Sequence, residues 1–345
     1  MTKKNILVFP CGSEVALEVF RSIENSIHFN IIGGSSTDDH GKFIFDDYIG
    51  DIPFVTDLDF IKSLKKIVSH NKIDAIYPAT DLVLHVLKKN ENELGCRIIS
   101  SSLETTDICL SKSKTYEILK DIIQVPFVFS NLELINQYPV FLKPDVGYGS
   151  RGVLKAENEV EVKNHIIKYP NTIILEYLPG KEYTVDCFTN YLGELLFVGQ
   201  RERKRITNGI SVNTSSLPLN DLVKRIAVKI NSTLEFNGAW FFQLKENYKG
   251  ELVLLEIASR IAGSSSVYRM KGINFAILSL FNEFEQNVNI IENNFEIELD
   301  RALENKYQLN INFNHIYVDL DDTLIVDEKV NYKLVGNLYS FLNEN

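Results

Sequence analysis

The chain has 345 residues, 45% of them apolar and 24% charged, with a net charge of −10. That length holds two or three domains with real cores, and the composition is that of a soluble globular protein. The negative balance argues against a general nucleic-acid binder and against docking on an anionic membrane.

Cys11, Cys96, Cys109 and Cys187 are scattered, as are the six histidines. This pattern suits a reducing compartment and carries no zinc signature. The opening residues hold no signal-peptide core, and no apolar run has the length of a membrane span. The expected location is cytoplasmic.

Asn5 to Phe9 is a compact apolar strand, turned by Pro10 to Ser13. Val15, Leu17, Val19, Phe20 and Ile23 follow with helical spacing, and Phe29 to Ile32 is a second strand before Gly33-Gly34-Ser35. This begins a βαβ unit with a parallel sheet. The first turn lacks G-x-G-x-x-G, which argues against NAD. A helix over Phe60 to Val68, a strand over Ile73 to Tyr77, a helix over Asp81 to Lys89 and a short strand over Arg97 to Ser100 complete a small doubly wound domain, residues 1–105.

Ser111 to Ile123 reads as an amphipathic helix with Lys112 and Lys114 in its first turn. Two solvated lysines are the ordinary interpretation. However, a helix N-terminus already carries positive partial charge, and an anion bound there would resolve the conflict. Val140 to Leu142 is a buried strand that delivers Lys143, after which Gly147, Gly149 and Gly152 fall within six residues. Such a loop is either an ordinary turn or one whose backbone amides approach a polyphosphate. A Walker loop would place its lysine after the glycines.

Val160 to Ile167 is helical and Thr172 to Leu175 a strand. Past Pro179-Gly180, alternation puts Glu182 and Asp186 on one face, which by itself reads as a hairpin with a polar outer face. Leu195 to Val198 is a strand, and Arg201, Arg203, Lys204 and Arg205 then either line an anionic small-molecule site or form a solvated face. Asn208-Gly209 follows. Leu222 to Leu234 is a helix, Gly238 to Leu244 a strand, Asn247 to Gly250 a turn and Glu251 to Ile257 the returning strand. Gln243 and Glu256 stand out among apolar neighbours, and a buried carboxylate needs a cation or a donor.

The order of these features resembles the ATP-grasp superfamily, over about residues 1–290 and closest to its carbamoyl-phosphate-synthetase-like and biotin-carboxylase-like branch. The resemblance implies an α/β protein: a Rossmann-like pre-ATP-grasp domain at 1–105, then an α+β ATP-grasp domain of two subdomains, 106–180 and 181–300. It implies that Lys112, with Lys114 a close rival, and Lys143 touch the phosphates of ATP. Gly147, Gly149, Ser150 and Gly152 would close over them. Glu176, Tyr177 and Leu178 would meet the adenine largely through backbone groups, and Glu182 the ribose. Gln243 and Glu256 would sit beside magnesium, and Arg260 would stabilise the transferring phosphoryl group. Phosphoryl transfer is mostly positioning and neutralisation of spread charge, which this residue set suits.

The implied reaction is an ATP- and Mg2+-dependent ligation: a small carboxylate becomes an acyl phosphate that an amine or related nucleophile attacks. The family's usual Glu-x-Asn-x-Arg reads here Glu256-Ile257-Ala258-Ser259-Arg260. Ala258 cannot ligate a metal, so a nucleotide-binding regulatory module with weak or no turnover is the alternative. A homodimer is compatible with the family; nucleic acid and membrane are not expected partners.

His315 to Thr323 resembles the opening motif of the haloacid-dehalogenase (HAD) superfamily, an apolar strand ending in Asp319-x-Asp321-x-Thr323. There the first Asp is a nucleophile and the second a general acid/base. Residues 310–345 would be an incomplete HAD-like segment, and the chain the front of an ATP-grasp–HAD fusion.

Overall fold

The computed structural model describes residues 3–147, 151–207, 209–302, 305–309 and 315–344. Its first sheet is wholly parallel: β1 (Lys4–Phe9), β2 (Phe29–Gly34), β3 (Asp47–Ile49), β4 (Ala75–Pro78) and β5 (Arg97–Ile98), in the order β3-β2-β1-β4-β5. Helices α1 (Glu14–Ile23), α2 (Phe60–His70), α3 (Asp81–Lys89) and α4 (Glu91–Leu94) make the connections. Ser13 caps α1 by accepting the Ala16 amide at 3.1 Å. Strand β3 escaped the sequence reading because three residues, one exposed and two half-buried, carry no usable alternation. The strand order reverses between β1 and β4, and the turns leaving their carboxyl ends open toward the rest of the protein.

Helices α5 (Leu103–Leu110) and α6 (Lys112–Leu119) lead to a second, antiparallel sheet. It comprises β6 (Val128–Phe129), β7 (Val140–Pro144), β8 (Leu154–Ala156) and β9 (Thr172–Glu176) in the order β6-β9-β7-β8, backed by α7 (Glu159–Lys168). Val140, Leu142, Ala156, Val162 and Ile174 form its small core.

The third sheet is antiparallel with seven strands: β10 (Glu182–Thr189), β11 (Leu195–Thr207), β12 (Ile210–Leu217), β13 (Gly238–Glu246), β14 (Leu252–Ala258), β15 (Ile297–Arg301) and β16 (Asn305–Leu309). Their order is β14-β13-β10-β11-β12-β15-β16. Helix α8 (Asp221–Thr233) sends Val223, Ile226 and Ile230 against Val185, Cys187, Trp240 and Phe242 of this sheet. Helices α9 (Ser266–Met270) and α10 (Phe275–Glu283) join it to the first sheet: Ile6, Val19, Phe188, Phe197, Tyr268 and Leu280 share one buried cluster. The first and third sheets are thus fixed to each other by apolar packing, and the second sheet faces the third across a cleft.

The strand expected at His315 to Asp319 is not formed. No strand among the described residues pairs with this run, so its backbone groups lack the ladder that would make it one. Tyr317 is 92% exposed. Beyond it lie a two-residue hairpin, β17 (Ile325–Val326) with β18 (Lys329–Val330), and α11 (Tyr332–Glu344). Lys333 anchors the last helix to Glu24 after α1. Among the described residues, no helix is long and apolar enough to cross a membrane.

Phe188 is fully buried in the cluster shared by the first and third sheets. Phe188→Ala is expected to destabilise the protein by about 3–5 kcal/mol, read as a lowered denaturant midpoint. A loss below about 1 kcal/mol would show that the cluster does not join the sheets.

Candidate active site

The cleft begins where α6 meets the end of β7. Asp145 accepts hydrogen bonds from the Ser113 amide and the Ser111 hydroxyl, both at 2.7 Å, and its own carbonyl accepts the Lys112 amide at 3.2 Å. The anion expected at this helix N-terminus is therefore the protein's own carboxylate. Burial opposes the charge, yet the hydrogen bonds from Ser113 and Ser111 hold Asp145 below the usual carboxylate range. The two lysines diverge from here. Lys112 is 9% exposed, lines the cleft and donates toward the Asp145 and Gly147 carbonyls at 3.3 and 3.4 Å. Lys114, the rival candidate, points away, about half exposed and paired with Asp107. It does not take part in the cleft, because the side chains of positions 112 and 114 leave the helix in different directions.

Lys143 is buried and joins both walls. Its ammonium donates to the Tyr116 hydroxyl on α6 at 2.8 Å and to the Leu255 carbonyl on β14 at 3.0 Å. Tyr116 itself donates to that carbonyl at 2.6 Å. Desolvation is the largest influence on Lys143 and brings its pKa down to about 7, against the pull of Glu256; Lys112 adds to the lowering.

The first cavity, of about 200 Å3, lies between the second and third sheets. Lys112, Lys143, Gly147, Glu176, Tyr177, Leu178, Glu182, Gln243 and Glu256 all line it. Phe141, Val153, Leu175 and Ile206 supply apolar surface, as an aromatic base requires. Glu176 reaches the cavity by its backbone, because its carboxylate is engaged with the Phe127 amide at 2.9 Å. Glu182 is held by Arg203, with Lys245 at 3.5 Å. Gly152 serves the turn instead of the cavity wall: its φ is +69° and its carbonyl meets His165 Nε2 at 3.1 Å. Gly149 and Ser150 lie outside the described residues.

Register explains the floor of the cleft. Thr184 stands opposite both Arg201 and Gln243, Gln243 opposite Glu256, and Phe241 opposite Ala258. Opposite residues share a face of a sheet, and so do residues two apart. Glu182, Asp186, Arg201, Arg203, Gln243, Glu256 and Ala258 therefore share one face. The polar face of β10, read from sequence as an outer surface, is this floor. Period-two alternation was the signal that would have separated Arg201 and Arg203 from Lys204, which pairs outside with Glu298; Arg205 reaches Asp300 only because the register shifts on either side of it.

A second cavity, of about 350 Å3, adjoins the first and shares Lys112, Gly147, Arg203, Gly209, Gln243 and Glu256 with it. Its far wall comes from the first sheet: Ser13 and Glu14 follow β1, and Ala79 to Asp81 follow β4. Two ion pairs cross there. Arg260 donates to Asp81 from Nε at 2.7 Å and Nη2 at 2.8 Å, and Arg301 meets Glu14 at 3.0 Å. Arg260 thus lines the second cavity with its guanidinium held by a carboxylate. Arg201 is fully buried, bound to Asp186 at 2.6 Å and to Ser264 at 2.9 Å. Lys112, Arg201, Arg203, Arg260 and Arg301 line this cavity, and each of the four arginines has a carboxylate partner, in Asp186, Glu182, Asp81 and Glu14.

Glu256 lines both cavities, and among the described residues its carboxylate carries no hydrogen bond. A free carboxylate beside a phosphate-sized space fits magnesium, which commonly takes one or two protein carboxylates and completes its shell with phosphates and water. Gln243 Oε1 stands near but accepts from Arg203 at 2.9 Å. Ala258 packs with Phe241 and Ala262. No group of three or more acidic, histidine or cysteine side chains gathers among the described residues, so the fit is to a metal held largely by the nucleotide.

Residues 168–302 match the family model described as "ATP-grasp in the biosynthetic pathway with Ter operon". A D-alanine–D-alanine ligase of Thermotoga petrophila is 28% identical over 192 residues, 50% of this chain and 63% of the ligase, so less than two thirds of that relative is matched. The biotin carboxylase domain dimer of Hydrogenobacter thermophilus 2-oxoglutarate carboxylase, solved with MgADP, ADP and bicarbonate, superposes with a TM-score of 0.73 at 16% identity, over 87% of this chain and 75% of the other. An L-amino acid ligase from Bacillus licheniformis gives 0.69 at 16% identity, over 87% and 79%. Residues 168–302 are therefore similar to an ATP-grasp domain, and the chain has the mixed α/β fold of the two solved structures.

In the folded protein Lys143 loses its proton near pH 7, whereas an unfolded lysine keeps it to about 10.4. Below pH 7 both states are charged and the full cost of burial is present. As pH rises through 7, the folded state sheds the charge, so this group's contribution to stability improves. Anionic phosphates would pull the proton back. Binding of MgADP at pH 8 is thus expected to take up as much as about one proton, seen as a calorimetric enthalpy that varies with buffer ionisation enthalpy. Lys143→Met is expected to abolish that uptake; unchanged uptake in the variant would assign it to another group.

Proposed function

We propose that the chain is an ATP- and magnesium-dependent ligase that activates a carboxylate as an acyl phosphate for attack by an amine or related nucleophile. The observation that carries this reading is the junction of the two cavities. There Lys112 and the free carboxylate of Glu256 stand between a base-sized apolar slot and an arginine-lined pocket, with buried Lys143 on the wall of the slot.

The first cavity takes ATP: the apolar slot and the Glu176–Leu178 backbone receive the base, Glu182 the ribose, and Lys112 and Lys143 the phosphates. The second takes the acceptor carboxylate. A carboxylate oxygen bonds to the terminal phosphorus as the bond to the bridging oxygen breaks, and the electron pair leaves with ADP. The amine then bonds to the acyl carbon and loses a proton as the C–O bond breaks and phosphate departs. The lysines neutralise charge that spreads during transfer, in a cleft with little water to screen it. Glu256, with Gln243, would hold magnesium, which supplies further neutralisation of the phosphates. Two of the similar proteins named above are ligases of amino acids, so amino acids come first as substrates, with sugar acids next.

Ala258 favours a second reading, a nucleotide-binding regulatory module. Incubating the protein with MgATP and a panel of D- and L-amino acids and sugar acids, and measuring ADP and phosphate release, separates the two. Acceptor-dependent release is expected, falling by at least about 100-fold in Lys143→Ala. Nucleotide binding without release across the panel would favour the regulatory module, and near-normal turnover in Lys143→Ala would remove Lys143 from the site.

A further inference from the structure

Four arginines line the second cavity, and three of them are satisfied, Arg301 by Glu14. Arg201 is held by Asp186 and Ser264, and Arg260 by Asp81. The fourth, Arg203, is different. It lines both cavities, yet its side chain is only 6% exposed. Nη1 donates to Glu182 and to Gln243, and Nη2 donates to the Gly209 carbonyl at 2.6 Å. Nε is buried with no acceptor among the described residues.

A buried guanidinium N–H without a partner keeps its desolvation cost, and native proteins rarely leave such a donor open except where water or a ligand supplies the acceptor. The groups that hold Nη1 are also informative. In the nucleotide reading Glu182 takes the ribose and Gln243 lies beside the metal, so an arriving nucleotide competes for both partners of Nη1. The guanidinium would then have Nη1 open on one edge and Nε open on the other, beside the Nη2 held by the Gly209 carbonyl, so that each can take a separate oxygen of a phosphate chain. Its place on the floor shared by both cavities puts it by the phosphate nearest the acceptor.

We infer that Arg203 is a phosphate-binding residue of this site, which exchanges Glu182 and Gln243 for the terminal phosphoryl oxygens of ATP at the boundary with the acceptor cavity. This rests on the nucleotide reading of the first cavity.

The test needs no acceptor. Affinities of the full chain for MgADP and for the magnesium complex of a non-hydrolysable ATP analogue, AMP-PNP, are measured by calorimetry for wild type, Arg203→Met and Arg203→Lys. Arg203→Met is expected to weaken AMP-PNP by about tenfold or more, and ADP by less than about threefold. Arg203→Lys keeps the charge without the fork and should fall between, with the same preference. Should Arg203→Met fail to fold, Arg203→Lys carries the comparison alone. An equal loss for both nucleotides, or no loss for either, would overturn the inference, because Arg203 would then only support Glu182. Wild type that binds neither nucleotide would remove the nucleotide reading as well, whereas tight wild-type binding with an unselective variant removes this inference alone.

Discussion

The cleft depends on one buried ammonium. Lys143 comes from the second sheet, Tyr116 from α6 and the Leu255 carbonyl from the third sheet, and three hydrogen bonds among them fix the walls at one separation. Burying a cation without a full carboxylate partner is expensive, and its depressed pKa is the measure of that cost. A protein that needed only to join two sheets would do better with an apolar contact. The lysine makes sense where an anion is to arrive and repay the desolvation.

The second constraint is sheet register. In β10, β11, β13 and β14, Glu182, Arg203, Gln243 and Glu256 lie far apart in sequence, but antiparallel pairing places them on one face. A shift of one residue in any of these pairings would send its polar residues to the face covered by α8 and exchange them for Val185, Phe242 or Ile257. The apolar packing under α8 therefore sets the position of the polar groups above it.

The elements that alternate or repeat cleanly were legible in the sequence. Four of the five strands of the first sheet, helices α1 to α3, and the hairpin of β13 with β14 could be placed from apolar periodicity. What escaped was partnership across distance. The bond between Asp145 and the start of α6 crosses about thirty residues and leaves no local pattern, so Lys112 and Lys114 looked equivalent. The pairing of Arg260 with Asp81 unites the first sheet with the end of the third sheet's strand β14, and nothing near either residue announces it. The tail misled for the opposite reason. Its apolar run has the local look of a strand, but a strand exists only when a neighbour completes its ladder.

The same distinction bears on Ala258. It lies two residues past Glu256 on the same face, where the resemblance leads one to expect a polar ligand, and it rests against Phe241 and Ala262. The Arg260 guanidinium lies over that Phe241 ring, 5.4 Å from its centroid. An amide at position 258 would therefore sit in an apolar patch beside a cation, with its oxygen desolvated unless a metal were present. The alanine removes that cost and leaves Glu256 as the free carboxylate of the junction. Magnesium tolerates so sparse a protein shell when phosphates and water complete it. Metal and nucleotide would then enter as one unit, and the protein's part would be to supply the fixed cations around them.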